Sequence, residues 1–299
     1  MDTKKTVVAV LPLDAVALTS RQGIKVTVLA TDSTMTRTVA APGLFEDQSS
    51  IAAFAEAATQ KIVNAFVNVK RLTVVERSVI DKILKEQDFQ LTDFAETSES
   101  IRIGGLLGAE YILQGQLQQV TVTELDNRDV WGNPKDEPAF AGTVELNLRL
   151  VNVSTGEITA SKDVGGETGF WTQPSPSEAA YWALNQAEQK TTEWLRTAFP
   201  VEGFVLEVRK EKKGEAREVV ITCGKSLGVR KGDKFKVFTE QLVEIDGRQV
   251  PRSEDVGKLE VKKTEQDGNF SRCEVEKGGK SIMKLLADGV KLKVVQIKK

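Results

Sequence analysis

Apolar positions along this chain change period several times, and each change predicts an element. Residues 6–13 (TVVAVLPL) are nearly continuously apolar, as in a strand covered on both faces. Ile51, Phe54, Ala55, Ala58, Ile62, Ala65 and Phe66 then recur at the helical period. They predict a long helix that ends at Asn68 and is capped by Ser49 or Ser50. Leu72 to Val75 form a short extended run. After it, Val79, Ile80, Ile83 and Leu84 make one helical stripe, with Glu76 in the first turn facing the positive end of the helix dipole. A shorter helix over Ile101, Leu106 and Leu107 ends at Gly108, a left-handed cap glycine. Tyr111, Ile112 and Leu113 begin a strand that Val120 and Val122 continue.

Strict alternation follows. Val144, Leu146, Leu148 and Leu150 oppose Glu145, Asn147 and Arg149, so one face meets a core and the other meets water or a partner subunit. Ser154, Thr155 and Gly156 spell a hairpin turn into a strand over residues 157–164. Residues 165–176 (GGETGFWTQPSP) read as a flexible loop, and Ser177 as the cap of a last helix over 178–199 that carries Trp182 and Trp194 in the core. A second loop, residues 124–140 with Gly132, Pro134 and Pro138, carries Trp131. Residues 24–38 form a β-rich insert whose place in the sheet the pattern leaves open.

Beyond Pro200 the character shifts to six short β-rich runs separated by glycines, the pattern of a small all-β barrel or sandwich. Charge shifts with it. Residues 1–200 hold 18 Lys/Arg against 26 Asp/Glu, whereas residues 201–299 hold 23 against 17. Both breaks predict two domains, 1–200 and 201–299. The basic half interleaves its lysines with glutamates, and Phe235, Phe238 and Phe270 fall at core positions. A solvated face is therefore expected there, with no nucleic acid.

Composition removes several chemistries. The chain has no histidine, which excludes a His-based triad, a His-ligated metal and a histidine proton shuttle. Two cysteines, Cys223 and Cys273, cannot build a thiolate zinc site; they read either as one disulfide or as two buried thiols. Gly104, Gly105 and Gly108 lack the lysine of a phosphate loop. Gly278, Gly279, Lys280 and Ser281 read as a strand-connecting turn. No carboxylate pair is set apart by spacing, so no catalytic residue, cofactor or metal site is assigned and the chain is not expected to be an enzyme. No apolar run approaches a membrane-spanning helix. The opening MDTKKTVVAV has no signal pattern, so the sequence reads as a cytoplasmic protein or as a mature form with an added Met1.

Three stretches, LTVVERSVIDKILKEQ (72–87), LLGAEYILQGQL (106–117) and LNLRLVNVSTGEITAS (146–161), together with VVAVLPLD (7–14), resemble the CsgG family of curli assembly and transport components. That family shares its α/β core with the N-terminal domain of TolB, with LpoB and with the middle domain of the flagellar protein FlgT. The resemblance implies an α/β sandwich of a mixed sheet with helices over about residues 6–200. Residues 226–238 and 256–282 resemble the FlgT C-terminal β-barrel module. It further implies export to the periplasm with a signal peptide removed, association with the outer membrane, often through a lipidated N-terminal cysteine absent here, and homo-oligomers or an envelope protein partner.

Family channels send two long hairpins from each subunit into the membrane. The corresponding segments, 121–140 and 162–181, place charge on both faces or carry Pro174 and Pro176, and neither offers a lipid-facing stripe. The expectation is a non-enzymatic, envelope-associated assembly scaffold; the alternative is a subunit of a CsgG-type secretion channel. Candidate partner-binding residues are Trp131, Phe170 and Trp171 as loop aromatics, Glu76 and Arg77 as a charged pair that otherwise only starts a helix, and Arg149 on the polar strand face.

Overall fold

The computed structural model describes residues 5–15, 24–28, 48–75, 105, 107–125, 138–245 and 248–297. The chain divides into two compact units, one of residues 1–68 and 72–195, the other of 69–71 and 196–299.

The first unit is built on a mixed sheet. Its strands are β1 (Thr6–Val10), β2 (Ile24–Val28), β3 (Leu72–Val74), β4 (Tyr111–Leu125), β5 (Ala139–Asn152) and β6 (Ile158–Glu167). The order is β3-β1-β4-β5-β6, with β2 also on β4. β1 runs parallel to both β3 and β4. β2 runs parallel to the far end of β4, Ile24 opposite Val120, so β1 and β2 share one edge of the same long strand. This places residues 24–28 of the insert that periodicity leaves open; its remainder, 29–38, lies outside the described residues. The other edge of β4 pairs antiparallel with β5 along its whole length.

Two helices cover one face of this sheet. In α1 (Gln48–Val69) the buried residues are Phe54, Ala58, Thr59, Ile62, Ala65, Phe66 and Val69, one stripe at the helical period. Thr59 Oγ1 accepts the Leu13 backbone N–H at 3.0 Å and so ties the helix to the end of β1. Ser49 and Ser50 lie inside the first turn of α1 and do not precede it. α2 (Pro176–Ala198) buries Ala179, Ala183 and Ala187 at successive fourth positions. Beneath them lie Gly142 of β5 and Gly166 of β6, where a Cβ would strike the Ala179 and Ala183 carbonyl oxygens at 2.3 and 1.8 Å. Backbone meets backbone at these crossings, which is why glycine sits inside two strands.

The α2 cap also differs from expectation. Ser175 Oγ accepts the Glu178 backbone N–H and donates to the Glu178 carboxylate, both at 3.2 Å, with Pro176 at the first helical position. Ser175, and not Ser177, is the N-cap that opens the helix. Trp182 is 38% exposed and Trp194 half-buried, so the expected core role fails for the first and holds only partly for the second. The β5–β6 turn is fixed by Asn152, whose Oδ1 accepts the backbone N–H groups of Ser154 and Thr155, and by Gly156 at φ 75°. Residues 165–167 belong to β6, so the segment read as loop begins three residues later.

The second unit holds β7 (Glu202–Lys212), β8 (Glu215–Ile221), β9 (Lys234–Ile245), β10 (Arg248–Thr264), β11 (Ser271–Lys277) and β12 (Lys293–Ile297). All their pairings are antiparallel. The order β10-β11-β8-β7-β12-β9 returns to β10, so the circuit of pairs closes. Val219, Ile221, Phe235, Val237, Leu259, Val261, Ile282 and Val294 fill its interior. Of the three phenylalanines assigned to this core, Phe235 is fully buried while Phe238 and Phe270 are half-buried. The unit is not wholly β. Gly278, at φ 83°, precedes a helix α3 (Gly279–Ala287), so the stretch read as a strand-connecting turn opens a helix whose Ile282 enters the core.

Candidate interaction site

The chain leaves β6 under tight control. Thr168 is buried; its N–H donates to the Gly142 carbonyl at 3.0 Å and its hydroxyl accepts the Gly142 N–H at 3.1 Å. Five residues later the ladder resumes. Gln173 exchanges two backbone hydrogen bonds with Phe140, both 2.8 Å. Gly169, at φ 60°, makes the turn out, and the Trp171 N–H returns to the Thr168 carbonyl at 3.2 Å. What projects between these anchors is Phe170, fully exposed, and Trp171, 73% exposed. The backbone that carries these two exposed aromatics is fixed at both ends, so contact there need not order the loop. Sequence patterning finds the aromatics but not Thr168 and Gln173, because nothing in their spacing marks a strand that continues past a four-residue excursion.

Arg149 lies elsewhere, on the sheet face opposite the helices. Register places Gln114, Arg149 and Ser161 in one cross-strand row and Gln116, Asn147 and Asp163 in the next. Arg149 Nε donates to Asn147 Oδ1 at 3.1 Å, and Asn147 Nδ2 donates to Asp163 Oδ1 at 2.6 Å. Exposed Thr143, Glu145 and Arg149 leave this part of the face polar. An apolar cluster of Ala9, Leu11, Ala109 and Ile112 occupies the β1–β4 end. The structure therefore brings Phe170 and Trp171 together and keeps Arg149 in a separate polar network. Glu76, Arg77 and Trp131 lie outside the described residues.

Several charges of the second unit are matched in pairs. Lys234 meets Glu276 at 2.5 Å, Lys262 meets Glu274 at 2.9 Å, Lys236 meets Asp255 at 2.6 Å, and Glu265 takes both Arg272 and Arg209. The hydrogen bond from Lys234 holds the exposed Glu276 carboxyl below its usual range. Cys223 and Cys273 are free, buried thiols, each pushed up to about 12 by burial. Both are thus poor nucleophiles at neutral pH.

Arg71 is buried in this unit. It donates to the backbone carbonyls of Arg196 and Phe199 at 2.9 and 2.8 Å and of Leu227 at 3.3 Å, and to the Gln296 side chain. Burial, and then the Arg196 charge, pull its pKa down to about 10. Among the described residues no group of three or more His, Cys, Asp or Glu is placed to hold a metal ion. No helix among them is long and apolar enough to cross a membrane.

Solved structures similar to the chain include the LpoB C-terminal domain from Salmonella enterica, 17% identical, covering 55% of this chain and 85% of that one at a TM-score of 0.29. Lipoprotein GNA1162 from Neisseria meningitidis is 11% identical, with 64% and 99% covered and a TM-score of 0.34. The PelC dodecamer from Paraburkholderia phytofirmans is 12% identical, with 63% and 85% covered and a TM-score of 0.25. No curated protein sequence matches the chain. The model of the family described as curli production assembly/transport component CsgG matches residues 18–175, more than half of the chain, and to that family the chain belongs.

Proposed function

We propose that this protein is a non-enzymatic scaffold of the cell envelope, periplasmic and associated with the outer membrane, that works by self-association or by binding an envelope protein. Residues 1–200 act as the CsgG-like domain and residues 201–299 as a β-barrel module of the FlgT C-terminal type. Membership of the CsgG family supports the envelope setting. The observation that carries the mechanism is the pinned loop. An aromatic pair left in water on a fixed support gains the free energy of desolvation on contact and loses little order in making it. Glu76, Arg77, Trp131 and Arg149 are further contact residues in this reading.

Light scattering after size exclusion, combined with pull-down from envelope extracts, tests it. The intact chain is expected to run above its 32.8 kDa monomer mass or to retain an envelope protein. A Phe170→Ser/Trp171→Ser variant is expected to lose that association while keeping its thermal midpoint. A monomer that retains nothing contradicts the reading.

A further inference from the structure

The β9–β10 hairpin outruns the circuit to which it belongs. β12 accompanies β9 only as far as Phe238, and β11 accompanies β10 only from Lys258 onward. Residues 239–245 and 248–254 therefore pair only with each other among the described residues. A two-stranded ribbon is marginal in water by itself, and this one exposes Leu242 by 66% and Val250 by 41%.

Its register sorts the side chains onto two faces, because directly opposed residues share a face and neighbours alternate. Thr239 opposite Glu254, Gln241 opposite Arg252 and Val243 opposite Val250, with Arg248, form one face, a continuation of the buried side of β9 marked by Phe235, Val237 and Thr239. Glu240 opposite Ser253 and Glu244 opposite Gln249, with Leu242, form the other. Each face thus has an aliphatic centre, Val243 and Val250 on one and Leu242 on the other. The first is flanked by Arg248 and Arg252, with Glu254 beyond Arg252 on the same face, and its reverse by Glu240 and Glu244, all five exposed. Glu240 also accepts from Lys293, so Glu244 is the less committed acid.

We propose that the ribbon is a contact between copies of this chain, the arginine face of one stacking on the glutamate face of the next. A second copy is the occupant because it carries the complement of either face at the same spacing. Such head-to-tail contact uses two different surfaces, so it propagates into a ring or a filament. The proposal rests on the self-association reading above and adds a second surface to the aromatic loop.

Charge exchange in the intact chain tests it. Arg248→Glu/Arg252→Glu makes both faces acidic, and Glu240→Arg/Glu244→Arg makes both basic. Each variant alone is expected to fall to the 32.8 kDa monomer in light scattering. The two mixed one to one, and a single chain bearing all four changes, are expected to recover the wild-type mass. Added salt should weaken every assembled form. Circular dichroism melts confirm folding, and Leu242→Asp, at an exposed site, dissociates the assembly without touching these four charges.

Folded pair variants that keep the wild-type mass overturn the ribbon contact and leave self-association to another surface. Failure of the folded four-fold variant to reassemble overturns the charge pairing. A wild-type chain that is monomeric at every concentration removes the self-association reading itself.

Discussion

A Cβ on Gly166 would lie 1.8 Å from the Ala183 carbonyl oxygen, which puts strand β6 in direct contact with the backbone of helix α2. Backbone cannot swing aside as a long side chain can, so Gly166→Ala must push the helix off the sheet. The expected cost is about 3 kcal/mol, at the upper end of the range for overpacked cores. Gly165→Ala, next in sequence but with its nearest neighbour 3.9 Å away, should change stability by less than about 0.5 kcal/mol. Denaturant midpoints of the two variants measure the contrast.

Ser175 caps the N-terminus of α2. Ser175→Ala removes the acceptor for the Glu178 N–H, and a loss of about 1 kcal/mol is expected from urea unfolding. Because the same turn lies just beyond the aromatic loop, that variant should also raise amide exchange at Trp171 and Gln173.

Arg71 donates to three backbone carbonyls in a part-buried site. Arg71→Ala is expected to cost about 3 kcal/mol, because acceptors are stranded as well as bonds lost. Arg71→Lys should recover only part of it, since an ammonium cannot reproduce the planar fork. Chemical denaturation of both variants gives the comparison.

Cys223 and Cys273 define a pH window. Their folded pKa, about 12, lies above the ordinary 9.0, so the fold holds protons that the unfolded chain releases. The stability they contribute is complete below pH 9 and is lost as pH rises from there through 12. The native protein is expected to resist thiol reagents at pH 8 and to react with two equivalents once unfolded. Its denaturant midpoint should fall above pH 9, less steeply in a Cys223→Ala/Cys273→Ala variant.

Periodicity made the elements legible where one face of each is apolar. Val144 through Leu150 and the stripe from Phe54 to Phe66 gave unambiguous faces, and the six glycine-punctuated runs beyond Pro200 each lie in a strand. Patterning was less informative where small residues decide the packing. Gly165 and Gly166 looked like loop because a glycine in a strand carries no side-chain signal, and only the neighbouring helix backbone explains the second of them. Helix α3 was missed because two glycines precede it and the αL residue Gly278 resembles a turn. Trp182 was placed inside because tryptophan on an amphipathic helix usually packs, yet the alanine stripe at 179, 183 and 187 already fills the contact with the sheet. Of the site, the aromatics were visible and their hydrogen-bonded support was not, since pairing across Phe140 and Gln173 is a tertiary relationship.

Site-specific photo-crosslinking tests the central claim, that this chain acts through contact at the aromatic loop. A photoreactive phenylalanine at position 171 is irradiated in the cells that make the protein, with position 211 on the exposed part of β7 as the control. An adduct is expected from position 171 alone, either a dimer of the 32.8 kDa chain or a band carrying an envelope protein. A monomer band at 171 indistinguishable from that at 211 would contradict it.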